Sequence, residues 1–263
     1  MALEQRSSGG SILRALRVVE AVAAAGDGVT AKAIARRLGR PLPTIYRVLG
    51  ILVEEGYLVR LHDVRGYGLG YRIAELHRDL TEQVVPPSAV RMILQEVHGG
   101  ARAATYLAVF RDVDVVVAHL DHCTDHPGPH GMRVGEPTPS HATAGGKVLL
   151  AGLEPTRLGE LLAHSGLPRL TPRTVADRRA LDRELMRVRS AGAAVEVEEY
   201  QRGVAGIAVP VRGPGGEVAG ALGVSVSRAE FAARRWELEH AVRNGAGRVA
   251  RSIVVLPGAA AQS

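Results

Sequence analysis

Four histidines and the only cysteine crowd one stretch of the chain, His119, His122, Cys123, His126 and His130, with His141 a little beyond. Imidazole and thiolate are zinc ligands, so the run invites a metal and, with it, a small metal-dependent enzyme using the His119–His141 cluster. The spacings match no standard zinc finger. The simpler expectation is a solvent-exposed, histidine-rich loop with no metal and no cofactor. Other catalysis has less support still. The chain carries neither a G-x-S-x-G nucleophile elbow nor a Walker loop, and Gly66-Tyr67-Gly68-Leu69-Gly70 belongs to a hairpin.

Binding chemistry is better represented. Between Thr30 and Arg72 stand Lys32, Arg36, Arg37, Arg40, Arg47, Arg60, Arg65 and Arg72 against Glu54, Glu55 and Asp63, so most of the net charge of +6 lies in one short segment. A concentrated basic excess suits a polyanionic partner. Within it a helix begins around Pro41 to Pro43, with Ile45, Val48, Leu49 and Leu52 as its apolar stripe. The opposite face presents Pro43, Tyr46, Arg47 and Gly50, compact enough for a DNA major groove. Gly50 costs the helix about 1 kcal/mol relative to alanine, which makes sense where backbone must approach DNA closely. Arg40, Arg60 and Arg65 flank the helix and suit phosphate contacts. In a second place, His141 to Lys147, an alanine and two glycines at a helix start leave exposed amides that can receive an anionic group. Close packing of that helix on a sheet explains the glycines equally well.

The elements that hold these groups follow from periodicity and punctuation. Leu13, Leu16, Val19 and Ala23 recur at helical spacing up to Gly26. Thr30 caps a short helix burying Ala31, Ile34, Ala35 and Leu38, which ends at Gly39. After the third helix come two short strands, Tyr57 to Leu61 and Tyr67 to Leu69, around a turn. Three helices and a hairpin in this order make a winged helix-turn-helix. Tyr71 to Val85 is a linker helix with Ile73, Leu76, Leu80 and Val84 on one side, and Pro86-Pro87 ends it. Beyond lie helices from Ser88, Thr143, Pro155, Asp177 and Ala232, and strands near residues 103–110, 113–120, 193–198, 204–211 and 217–226. That mixture implies an α+β domain with an antiparallel sheet.

The chain has 263 residues, enough for two domains. With aromatics at 3%, the interior must be aliphatic. A lone Cys123 forms no internal disulfide, which fits a reducing cytoplasm. Nowhere do 18 apolar residues run without a charge, so no membrane span is expected.

Several blocks of the sequence resemble the IclR (isocitrate lyase regulator) family of transcriptional regulators. They are Ala33-Ile34-Ala35-Arg36-Arg37-Leu38-Gly39 with Thr44-Ile45-Tyr46-Arg47-Val48-Leu49, then Tyr67-Gly68-Leu69-Gly70, and the run from Ser140-His141-Ala142-Thr143-Ala144-Gly145-Gly146-Lys147 to Ala151. Glu198 to Val211 and Gly220 to Val226 also match in order and spacing. Gly9-Gly10 and the serines before them read as a flexible arm (residues 1–11), and the Ala-rich end as a tail (257–263). The resemblance implies a winged helix-turn-helix (12–70), a linker helix (71–87) and a GAF-like effector-binding domain (88–256). It implies a cytoplasmic homodimer or dimer of dimers that binds an operator and answers a small-molecule effector. Such a protein is most often a repressor of an adjacent metabolic operon. On the DNA side the resemblance adds Thr44. Pro43 departs from the family's usual serine or threonine, a change that bears on a helix cap and a phosphate contact. On the effector side it implies Ala144, Gly145, Glu196, Gly206, Gly223 and Ser225. Gly206 and Gly223 stand where larger side chains often occur, so the implied pocket is roomy. An ionised Glu196 would repel a wholly anionic effector, which favours a neutral or hydroxyl-bearing one.

Overall fold

The structure is a computed structural model that describes residues 2–254, with side chains from residue 10 to residue 252. The chain forms two compact units, Met1–Glu82 and Gln83–Ser263. The expected tail, and Met1 of the expected arm, lie outside the described residues.

In the first unit, α1 (Ala2–Ala25), α2 (Ala31–Leu38) and α3 (Leu42–Glu54) enclose a small core of Val18, Val22, Ile34, Ile45, Leu49 and Leu58. The backbone is helical from Ala2, ahead of Ile12, where the sequence places the end of an arm. Gly9 and Gly10 weaken a helix without forbidding it. The buried stripe of α1 also differs from the expected one. Val18, Ala21 and Val22 are buried with Ala15 and Val19 packed beside them, while Leu13 and Leu16 are exposed together with Ile12. Helix α1 has two apolar ridges, and spacing alone does not say which one meets α2 and α3.

Helix α2 starts where Thr30 Oγ1 accepts the Ala33 N–H at 3.2 Å. It stops at Gly39, whose left-handed φ of 59° lets its own N–H reach the Arg36 carbonyl and the Arg40 N–H reach that of Ala35. Side chains with a Cβ rarely adopt this geometry. The chain thus turns sharply into α3, which has no side-chain cap and carries Pro43 in its first turn. The wing is β1 (Leu58–Leu61) paired antiparallel with β2 (Gly66–Leu69), and a bridge between Val29 and Tyr67 ties it to the α1–α2 connection. Helix α4 (Tyr71–Val84) follows, and none of its residues is buried.

The second unit is built on a five-stranded antiparallel sheet of order β4-β3-β7-β6-β5, from β3 (Ala104–Arg111), β4 (Asp114–Asp121), β5 (Ala194–Val197), β6 (Val204–Arg212) and β7 (Val218–Ser227). Because side chains alternate along a strand, the sheet has two separate cores. Leu107, Ile207, Leu222 and Val224 face α5 (Ser88–Ala101) and α9 (Arg228–Val254). Tyr106, Ala108, Ala208 and Ala221 face α6 (Ala144–Ala151), α7 (Pro155–Ser165) and α8 (Arg178–Ala191). Helix α9 begins before the expected Ala232 and breaks at Arg234, whose φ is −137°. That guanidinium donates to the Ala101 and Arg102 carbonyls at the end of α5, at 2.6 and 2.7 Å. The break places a cation where the last carbonyls of a helix need donors.

Candidate functional site

The surface of α3 away from the core is formed as its periodicity requires. Ile45, Val48, Leu49 and Leu52 are buried, while Pro43, Tyr46, Arg47 and Gly50 face solvent, with Tyr46 53% exposed. Thr44 is half-buried. A Cβ on Gly50 would meet nothing within 4 Å, so the protein itself does not require glycine there. Arg40 stands in the α2–α3 turn, Arg60 on β1 and Arg65 in the wing turn, all exposed. An open groove of about 760 Å³ at the α2–α3 corner is lined by Lys32, Arg36 and Arg40 together with Thr30 and Gly39. Lys32 and Arg36 belong to this basic surface although the recognition-helix pattern does not reach them. Their mark in the sequence is the charge excess.

The candidate effector residues lie on the α6 face of the sheet in two adjacent rows. Glu196, Gly206 and Ser225 stand side by side across β5, β6 and β7, and Ala208, Gly223 and Tyr106 form the next row. Ala144 and Gly145 open α6 above them, both buried. The amides of that helix start are not exposed, contrary to expectation. Thr143 Oγ1 accepts from Gly146 at 3.1 Å, and the Tyr106 hydroxyl accepts from Gly145 at 3.0 Å. Nor is the site widened by its glycines. A Cβ on Gly223 would run into the Tyr106 ring, one on Gly145 would come within 2.8 Å of it, and one on Gly206 within 2.6 Å of the Val224 carbonyl oxygen. Ser225 lines a cleft of about 240 Å³, which Gln201, Gly203, Glu230 and the 125–129 segment complete.

The electrostatics of this face come from burial. Glu196 is 5% exposed, and desolvation lifts its carboxyl to about 8, with the Glu199 carboxylate adding to the rise. Burial thus favours its neutral form, which weakens the expected repulsion of anions. Its Oε2 accepts the Glu199 N–H at 3.2 Å. Beside it Lys147, fully buried, donates to Glu199 Oε1 at 2.6 Å and to the Val195 carbonyl at 3.2 Å, with Glu184 at 3.6 Å. A buried ammonium needs such partners. Burial drives the Tyr106 phenol well above the usual tyrosine range. It lowers His141, whose Nε2–H donates to the Pro168 carbonyl at 3.0 Å.

Two family models match the chain: "Bacterial transcriptional regulator IclR C-terminal" over residues 87–251 and "IclR helix-turn-helix domain" over residues 11–62. The chain belongs to the IclR family. Among relatives of this IclR-family regulator, the HTH-type transcriptional regulator Rv1719 of Mycobacterium tuberculosis is 31% identical over 250 residues, 91% of each chain. The Pca regulon regulatory protein of Pseudomonas putida is 28% identical over 85% of this chain and 78% of its own. Among solved structures, that of an IclR homolog complexed with 4-hydroxybenzoate, from Microbacterium hydrocarbonoxydans, aligns with a TM-score of 0.69 at 28% identity, covering 91% of this chain and 98% of the other.

The IclR-family chain is a transcriptional regulator and not an enzyme, so the histidine-rich segment needs another account. Its groups are dispersed. His119 Nε2 pairs with Asp121 Oδ2 at 3.0 Å, His126 stacks edge-on against His98 with ring centroids 6.2 Å apart, and Cys123 is exposed. Among the described residues no three His, Cys, Asp or Glu side chains converge on a metal-sized space. The segment is instead tied over the strand ends through His130, whose N–H donates to Gln201 Oε1 at 2.7 Å and whose carbonyl accepts from Tyr200. The residue that sequence reasoning missed in this regulator is Tyr106. One signal pointed to it, an aromatic in a chain with only 3% aromatics.

Proposed function

We propose that this regulator binds a pseudopalindromic operator as a homodimer or dimer of dimers in the cytoplasm, represses an adjacent metabolic operon, and changes DNA affinity when a small metabolite occupies the α6 face of its sheet. The carrying observation is the exposed Pro43, Tyr46, Arg47 and Gly50 surface of α3 amid the basic excess of the same unit. Tyr46 and Arg47 read base edges. Thr44, Arg40, Arg60 and Arg65 position phosphates, joined by Lys32 and Arg36 of the corner groove. Gly50 lets the backbone come close. Titration of operator and scrambled duplexes at matched salt tests this, with a specificity ratio of about a thousandfold or more expected. Equal affinity for both would overturn it.

The dimer rests on two unpartnered apolar surfaces. Ile12, Leu13 and Leu16 are exposed on α1, and on α4 Leu76 is exposed while Ile73, Leu80 and Val84 on the same side are only half-buried. An isolated helix of this length is marginal in water, so a second copy is the natural cover. The effector reading rests on Ala144, Gly145, Glu196, Gly206, Gly223 and Ser225 converging on one sheet face with buried polar groups. The relative solved with 4-hydroxybenzoate supports small-molecule control.

A further inference from the structure

We propose that Tyr106 sets the size and class of effector this regulator accepts: its ring fills the slot between Gly145 and Gly223 that an aromatic ligand would need, so that the space left to a ligand is the cleft beside Ser225, which suits a small, non-aromatic, acceptor-bearing molecule. The proposal rests on the effector site being the α6 face of the sheet. Three observations carry it.

First, the slot is ring-shaped and full. Gly145 above and Gly223 below both lack the Cβ that would strike the Tyr106 ring. The ring is 3% exposed in the same core as Ala108, Val115 and Val117. Second, Tyr106 takes the place a ligand oxygen would take. Its hydroxyl accepts the Gly145 N–H at the start of α6, the position where an anion or carbonyl would otherwise bind. Third, the polar groups left over are donors. The phenol proton of Tyr106 and the hydroxyl of Ser225, 4% exposed, have no hydrogen-bond acceptor among the described residues. Glu196 next to Gly206 is held as a neutral acid by burial. Ser225 and the protonated Glu196 flank Gly206, with the Tyr106 phenol in the next row, and this set suits a ligand with acceptor oxygens, a short carboxylate or carbonyl compound, entering by the cleft that Ser225 lines.

Removing the ring tests this directly. An apolar cavity of roughly 150 Å³ in a protein core takes up benzene, so Tyr106→Ala should admit a ring. Binding is measured by calorimetry with 4-hydroxybenzoate and phenol on the full-length wild type, Tyr106→Ala, Tyr106→Leu and Tyr106→Phe, each checked for a cooperative thermal transition. We expect Tyr106→Ala to bind at least one of the two about tenfold more tightly than wild type. Tyr106→Leu, which keeps aliphatic packing should the alanine variant not fold, is expected to change in the same direction, and Tyr106→Phe should exclude both probes as wild type does. In parallel, a set of straight-chain aliphatic carboxylates and ketones of about two to six carbons is screened by thermal shift, with at least one stabilising wild type and not Ser225→Val.

Wild type binding 4-hydroxybenzoate as tightly as Tyr106→Ala would overturn the role of Tyr106. If Ser225→Val then abolished that binding, the site itself would stand. Folded Tyr106→Ala or Tyr106→Leu showing no gain for either probe would also overturn the proposal. Responses that Ser225→Val and Tyr106→Ala leave untouched would show that the site is elsewhere.

Discussion

Arg47 and Arg65 carry the same charge in different company. Arg47 projects from a helix face whose neighbours Tyr46 and Gly50 are also exposed, whereas Arg65 sits in the wing turn at a left-handed φ of 48°. Arg47→Ala is expected to cost about 1 to 3 kcal/mol of operator binding and to relax base preference at one position. Arg65→Ala should weaken operator and scrambled DNA alike and reduce the salt dependence of both. Competition titrations against single-base operator variants separate the two. Glu196 gives a pH signature. Its folded value near 8 lies above the ordinary 4.5, so the folded chain holds a proton that the unfolded chain releases. Its contribution is intact below about 4.5, declines as pH rises, and is gone above about 8. Wild type should therefore lose more stability than Glu196→Gln between about pH 5 and about pH 9, as urea titrations would show. Parallel curves would mean that the carboxyl is ionised in the fold. The exposed Tyr46, Arg47 and Gly50 face was legible in the sequence, whereas the burial of Glu196 and the contact of Tyr106 with α6 were not. The glycines around Gly145 spell out orphan helix-start amides, but that a tyrosine fills one of them depends on the β3–β7 register, a long-range pairing that no local pattern encodes.

Among elements, those with one apolar face were the readable ones. Helices α2 and α3 show a single stripe each, bounded by Thr30, Gly39 and the prolines, and the structure buries those stripes. Helix α1 has two ridges, and the buried one is rotated about the axis from the one that spacing suggests. Helix α9 begins at Arg228, ahead of the expected Ala232, and breaks at Arg234 for a tertiary reason, the capping of α5. In the proposed dimer, helix α4 is the element that a second copy of the chain covers. With Leu76 52% exposed and nothing buried, Leu76→Glu should raise the monomer fraction in sedimentation while leaving the unfolding midpoint of the dilute protein within about 0.5 kcal/mol of wild type. A loss of several kcal/mol at constant oligomeric state would instead mean that Leu76 packs within one copy.

For the whole molecule, control of DNA by a metabolite is a coupling free energy, and it acts in both directions. A ligand that lowers operator affinity tenfold, about 1.4 kcal/mol, must itself bind the operator complex tenfold less tightly. Calorimetry with and without a saturating operator duplex should return the same factor as DNA titrations with and without ligand. Unequal factors would mean a change of assembly state between the two experiments. The order of the sheet has a further consequence. Strands β3, β7 and β6 are each paired on both sides, whereas β5, which carries Glu196, is a four-residue strand paired only with β6. One wall of the candidate site is therefore among the least cooperatively held parts of its unit, since outer strands open at lower free energy than inner ones. Deuterium should enter the amides of residues 194–197 well before those of residues 221–225. Occupancy of the site would be written in isotope uptake: a molecule seated against Glu196 would slow the outer strand toward the rate of the inner ones, making that margin a clock for ligand residence.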